Sequence, residues 1–155
     1  PLISARQRDR VQAYLDLALE EGGTFACGGG RPSGRDAGFF IEPTVIAGLT
    51  NEARVAREEI FGPVLTVIAH DGDDDAVRIA NDSPYGLSGS VFSGDSERAA
   101  GVAARLRVGT VNVNGGVWYS ADVPFGGYKQ SGVGREMGVA GFEEYLELKV
   151  IATAV

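Results

Sequence analysis

The chain has 155 residues, 44% of them apolar, and a net charge of −7 from Lys+Arg 14 against Asp+Glu 21, which suits one buried core and argues against wholesale disorder. An acidic chain whose only lysines are Lys129 and Lys149 lacks the basic face of a nucleic-acid binder, the lone Cys27 excludes a disulfide framework, and the lone His70 excludes a multi-histidine metal site, so no metal is expected. No apolar run approaches the ~20 residues of a membrane span and no leader-like segment opens the chain, so no membrane partner and a cytoplasmic location are expected.

Ser4 and Gln7 have the spacing of a capping box. Val11, Tyr14, Leu15, Ala18 and Leu19 then recur at helical spacing until Gly22 supplies a stop. Short extended segments at Thr24–Cys27 and 39–41 flank a loop rich in Gly, Arg and Pro. Residues 64–69 are apolar and β-branched without a charge, the pattern of a strand buried on both faces. A helix over 73–81 follows, with aspartates at its positive end and Val77, Ile79 and Ala80 to bury. Residues 88–92 read as a strand, 95–107 as a helix with Ala99, Val102, Ala103 and Leu106 inward, and 110–114 as a strand. This alternation predicts an α/β fold: a parallel, three-layer sheet architecture with helices on both faces and right-handed crossovers. A glycine-rich stretch, a short helix near 135–145 and a final strand over 148–155 complete the chain. Left unpaired, that strand would offer a sticky edge, so it is expected to pair with another subunit. Pro1 stands almost against the first helix, and the sequence reads as a piece of a longer protein. The Gly 23 total is roughly twice the ~7% average share and clusters in the turns.

Several motifs fail on inspection. Asp71, Asp73 and Asp75 start like a calcium loop, but Ala76 and Asp82 occupy its sixth and twelfth positions, leaving a solvated turn with N-cap aspartates. Cys27 has no histidine nearby and reads as a small buried hydrophobe, not a nucleophile. The glycines at 132, 134 and 138 are one residue too widely spaced for a dinucleotide fingerprint, and those at 127 and 132 lack the Lys-Ser/Thr of a phosphate loop. Two segments carry more. Arg57-Glu58-Glu59-Ile60-Phe61-Gly62-Pro63 sets adjacent carboxylates beside an aromatic and a Gly-Pro break. An ionised glutamate there can accept hydrogen bonds from a sugar diol; the alternative is a solvated turn with Phe61 in the core. In the second, running from Pro124 to Glu136, glycines around Phe125 and Tyr128 allow unusual backbone angles.

Glu58-Glu59-Ile60-Phe61-Gly62-Pro63, Ala80-Asn81-Asp82-Ser83-Pro84-Tyr85-Gly86-Leu87, Gly109-Thr110-Val111-Asn112-Val113-Asn114 and the segment from Pro124 to Glu136 closely resemble, in order and interval, the C-terminal part of the NAD(P)-dependent aldehyde dehydrogenases. In that family a cysteine thiolate attacks an aldehyde, hydride passes to NAD or NADP, and water releases the acid from a thioester. The resemblance implies that 1–146 form the C-terminal part of a catalytic domain and 147–155 a strand for assembly into a homodimer or homotetramer. It implies that Glu59 holds the nicotinamide ribose hydroxyls, that Phe61 packs beside the same end of the cofactor, and that Phe125 walls the channel of a small aldehyde substrate. Trp118 and Tyr119 fall in the loop at the channel mouth. Glu136 resembles a buried catalytic carboxylate that relays protons during deacylation. Gln7 and Arg10 resemble helix positions near the cofactor, where the family often has Lys in place of Arg10. Family members carry the nucleophilic cysteine, the general-base glutamate, the oxyanion-hole asparagine and the dinucleotide-binding domain upstream of the matched region. The cofactor is therefore expected to be bound mainly by that upstream domain, and these residues alone are expected to be inactive. A reading from another class is a non-catalytic assembly module that pairs through its final strand.

Overall fold

In the computed structural model, which describes residues 1–35, 37–116 and 119–154, the first helix starts where the capping spacing predicts. The Ser4 hydroxyl accepts from the Gln7 N–H at 3.2 Å and opens α1 (Ala5–Glu20), which ends just before Gly22. Val11, Leu15 and Ala18 are fully buried, whereas Leu19, expected inward, is 53% exposed and Leu17 packs against the core in its place. The chain divides into two units, Pro1–Asp71 and Gly72–Val155, each with its own sheet.

In the first unit β1 (Thr24–Cys27) pairs antiparallel with β2 (Thr44–Ala47), and β2 pairs parallel with β3 (Val64–Thr66). Ile46 of the central strand joins Val11, Leu15, Ala18, Val55 and Ile60 in one buried cluster. Thr44, buried beside it, stays satisfied because its hydroxyl donates to the Glu42 carbonyl at 2.8 Å and accepts from the Gly29 N–H at 2.9 Å. The short helix α2 (Arg54–Arg57) has no cap of its own at Ala53; the Glu21 carboxylate accepts from the N–H groups of Arg54 and Val55 at 2.9 and 3.4 Å. Three expectations change here. Residues 39–41 form no strand, the pairing strand being β2. Val64 packs against the core, but Leu65 on the opposite face is 61% exposed, so β3 is not buried on both faces. Cys27 is exposed, since β1 is an edge strand whose register shifts between Phe25 and Cys27.

In the second unit α3 (Gly72–Asn81) precedes β4 (Ser88–Val91), α4 (Ser96–Ala103) and β5 (Thr110–Val113). The two strands pair in parallel, Ser88 opposite Thr110, as the predicted strand, helix and strand require. Asp95 caps α4 by accepting from the N–H groups of Glu97 and Arg98, both at 3.0 Å. This helix stops four residues before the expected end, and of the residues expected inward on α3, Val77 is buried while Ala80 is exposed. The acidic run at the start of α3 meets arginines, Asp73 with Arg98 at 2.6 Å and Asp74 with Arg105 at 2.7 Å. A 3₁₀ turn (Lys129–Ser131) and α5 (Gly138–Glu143) follow. No strand forms over 148–154, where Leu148 and Val150 are 98% and 92% exposed, because a strand exists only against a hydrogen-bonded neighbour. The α/β class stands, with the strands distributed over a mixed sheet and a parallel pair in which β1 alone runs antiparallel to its neighbour. Among the described residues no helix is long and apolar enough to cross a membrane.

A Cβ added at Gly109 would overlap the Gly126 carbonyl oxygen, backbone against backbone, whereas nothing lies within 4 Å of the same position at Gly94. Gly109→Ala is therefore expected to lower stability by about 1–3 kcal/mol or more, and Gly94→Ala to change it by no more than ~0.5 kcal/mol. Urea titration followed by circular dichroism distinguishes them; equal midpoints would show that the close approach is not required.

Candidate functional site

Gln7, Arg10, Val11 and Tyr14 share one face of α1, three and four residues apart, and all four engage the segment 58–62. The Gln7 side-chain amide donates to the carbonyls of Ile60 at 3.3 Å and Phe61 at 2.9 Å. It does not turn back to the Ser4 N–H, so only half of the expected capping box forms. Arg10 donates to the Glu59 carbonyl at 3.0 Å. At Gly62 an added Cβ would lie 2.5 Å from Val11 Cγ2, so only glycine lets the segment lie this close to the helix. Between these anchors Phe61 adopts a left-handed conformation, φ 59°, which a non-glycine residue holds only when its surroundings impose it.

The two adjacent glutamates are treated differently. Glu58 accepts from the Tyr14 hydroxyl at 2.8 Å and from Arg54 at 2.8 and 3.1 Å. Hydrogen bonds from Arg54 and then Tyr14 hold its carboxyl below the usual range, and the same bond raises the Tyr14 hydroxyl above its own. Glu59 is exposed, and its carboxylate has no partner among the described residues. Ile60 is buried and Phe61 is 65% exposed, so the alternative of a turn with Phe61 in the core does not hold. Glu58, Glu59, Phe61 and Leu65 line a cleft of about 390 Å³. A partner-free carboxylate offering acceptor oxygens, set two residues from an exposed ring, matches the donors of a ribose diol and the flat base attached to it.

In the second unit the other predicted residues come together. Phe125 and Glu136 form an antiparallel bridge, each N–H donating to the other's carbonyl at 2.7 Å. The Tyr119 ring meets Phe125 edge-on with centroids 6.0 Å apart. Trp118 lies outside the described residues. Glu136 is exposed and not buried as expected: the bridge fixes its main chain and leaves its side chain in solvent. Around this pair three of the sequence motifs interlock. Lys129 Nζ donates to the carbonyls of Asn81 and Ser83 at 2.9 and 3.0 Å, the Ser131 hydroxyl accepts from the Gly86 N–H at 2.9 Å, and the Gly86 carbonyl accepts from Gly109 at 3.1 Å and Tyr128 at 2.8 Å. Arg135 lies over the Tyr128 ring, 5.3 Å from its centroid, and donates to the carbonyls of Gly127 and Gly134 at 2.9 and 2.8 Å. Tyr14, Glu58 and Arg54 escaped sequence reasoning as site residues. The four-residue interval from Arg54 to Glu58 was the available signal.

The family model described as the aldehyde dehydrogenase family matches residues 1–151. The chain belongs to the aldehyde dehydrogenase family. A betaine aldehyde dehydrogenase of Brucella melitensis is 48% identical over 97% of the chain, which spans 31% of that protein's length. The solved structure of a betaine aldehyde dehydrogenase from Staphylococcus aureus in complex with NAD+ superposes with a TM-score of 0.88 at 48% identity, covering 94% of this chain and 29% of that one. A Mycobacterium tuberculosis aldehyde dehydrogenase complexed with NAD+ gives 0.86 at 51% identity, covering 93% and 30%. The chain thus spans about a third of the length of the curated relatives it matches.

The Glu58 contacts make the segment acid-sensitive. A carboxyl held low in the folded state stabilises it above the ordinary glutamate range, and the contribution is lost as pH falls below that range and through the lowered value. The fall in urea midpoint between about pH 7 and about pH 3 should be smaller in Glu58→Gln than in the parent. An identical fall in both would show that the folded state does not favour ionised Glu58.

Proposed function

We propose that these residues are the C-terminal part of the catalytic domain of an NAD(P)-dependent aldehyde dehydrogenase that oxidises a small aldehyde to its carboxylic acid through a cysteine thioester. The observation that carries the reading is the contrast on segment 58–62, where Glu58 and the backbone are tied to the first unit while the Glu59 carboxylate and the Phe61 ring are left exposed. NAD or NADP bound there supplies the hydride acceptor. Glu59 accepts from the ribose hydroxyls and so restrains the ring attached to them, and Phe61 packs beside that ring and excludes water from one side. Phe125, with Tyr119 against it, walls the aldehyde channel. Glu136 takes up and releases protons during deacylation, and its exposure gives it direct exchange with water.

Most of the cofactor's contacts belong to an upstream domain, as does the nucleophile. Cys27, the one cysteine, is exposed, and among the described residues the hydrogen-bond partner of its sulfur is the Pro43 carbonyl at 3.8 Å, an acceptor that cannot serve as a base. The chain is therefore inactive alone. Betaine aldehyde, which names the Brucella and Staphylococcus relatives, is the first substrate to test, and NAD the first cofactor. Residues 147–155 are read as the strand through which copies assemble into a cytoplasmic homodimer or homotetramer. The exposure of Leu148, Val150 and Ile151 favours that pairing and also favours the second reading, a non-catalytic assembly module.

Glu59→Gln, made in a full-length chain carrying this segment, is expected to slow single-turnover NADH formation about tenfold. Hydrolysis of a nitrophenyl ester, which acylates the cysteine without hydride transfer, should change little. Unaltered NADH formation would sink the assignment of Glu59, and an intact parent without aldehyde-dependent activity would favour the assembly module. Aldehyde oxidation by the 155-residue chain alone would refute its lack of a nucleophile.

A further inference from the structure

We infer that Tyr14 is a positioning residue for the cofactor carboxylate: by holding Glu58 and Arg10 it keeps Glu59 free of protein partners and turned outward. The inference rests on the reading of Glu59 as the ribose ligand. Three observations lead to it. Glu58 is extended, φ −99° and ψ 145°, and in extended backbone consecutive side chains leave on opposite sides, so an anchor on Glu58 dictates the side from which Glu59 projects. Tyr14 sits at the centre of that anchor. Its hydroxyl donates to Glu58 at 2.8 Å and accepts from Arg10 at 3.2 Å, while the same Arg10 amino group donates to the Glu59 carbonyl at 3.0 Å. The hydroxyl therefore connects the side chain of residue 58 to the main chain of residue 59. The third observation is electrostatic. Arg54 and Arg10 are the cations of this network, and either would be an attractive partner for a loose Glu59 carboxylate. Arg54 is engaged by both oxygens of Glu58, and Arg10 is stacked 5.2 Å from the Tyr14 ring centroid.

Removing the hydroxyl releases this arrangement without removing the ring. Glu58 loses a donor, Arg10 loses an acceptor, and Glu59 becomes able to swing toward a guanidinium, where its oxygens would no longer be available to a diol. Tyr14 touches neither cofactor nor substrate in this account, so its effect must pass through Glu59.

The test is a double-mutant cycle on cofactor KM in a full-length chain carrying the segment, with Tyr14→Phe, Glu59→Gln and both together. Tyr14→Phe is expected to raise cofactor KM about three- to tenfold and to leave the KM for aldehyde unchanged. Added to Glu59→Gln it should raise cofactor KM no further, because the group it positions is already disabled. A purely structural role predicts multiplying effects, and multiplication would overturn the inference. So would an unchanged KM in Tyr14→Phe alongside a raised one in Glu59→Gln, which would leave the ribose reading standing. No effect of Glu59→Gln would overturn both. Should Tyr14→Phe fail to fold, as judged by circular dichroism, Glu58→Leu replaces it. That change removes the acceptor through which Tyr14 acts, and the same cycle with Glu59→Gln is read in the same way.

Discussion

The close contact between Val11 of α1 and Gly62 sets the geometry of the first candidate site. A helix is a rigid ruler, and side chains three and four residues apart stand in line along it. Because Gly62 has no Cβ, the segment 58–62 can lie against that line, within reach of Gln7, Arg10 and Tyr14. These contacts impose the left-handed backbone at Phe61, and its cost, of order 1–3 kcal/mol, is offset by hydrogen bonds to carbonyls on either side of it. The consequence is an aromatic ring facing solvent while its neighbour Ile60 is buried. The hydrophobic core thus does more than stabilise the first unit: Val11 and Ile60 belong to it, and between them they determine what the intervening backbone presents.

The second unit solves a similar problem with backbone in place of a helix face. A Cβ at Gly109 would meet the Gly126 carbonyl and a Cβ at Gly126 would meet the Gly134 carbonyl, so neither position has room for a side chain, and Lys129 and Ser131 reach back to the turn after α3. Lys129 is itself left-handed, φ 55°, and its ammonium is consumed by the carbonyls of Asn81 and Ser83. A lysine so engaged is structural. At Gly62, Gly109 and Gly126 the value of glycine lies in the missing side chain, and no positive φ occurs at any of the three.

Local signals survived translation into structure, and signals of burial did so less well. The α1 cap at Ser4, strand β1 and the α4 cap at Asp95 follow from rules acting within a few residues, and each forms. Strand β2 is no longer than β1, and it is its place between β1 and β3, a tertiary fact, that makes it a strand. The chargeless run at 64–69 has the pattern of a strand buried on both faces, yet in this unit one face of β3 meets solvent. Under the proposed reading the rest of a longer chain covers it. Of the proposed site, Glu59, Phe61, Phe125 and Glu136 are legible through resemblance to a family, since no spacing rule marks a carboxylate that lacks partners. Tyr14 is legible only as an apolar helix position, because the partner of its hydroxyl, Glu58, lies 44 residues away. The burial expected of Glu136 failed for a related reason: the bridge to Phe125 orders its backbone, and main-chain order says nothing about where a side chain's solvent goes.

The pair Glu58-Glu59 shows how identical neighbours acquire opposite roles. Two carboxylates in sequence repel each other and compete for the same cations, so a sequence that needs one of them free must satisfy the other completely. Here Glu58 takes the guanidinium fork of Arg54 and the Tyr14 hydroxyl, and its strong partners favour its ionised form. A glutamine at 58 would avoid the repulsion but would give up the charge that holds Arg54, leaving that arginine available to Glu59. The second acidic residue is therefore no redundancy. Its charge keeps a nearby cation occupied, and under the proposed reading the free carboxylate of Glu59 depends on that occupation as much as on its own position.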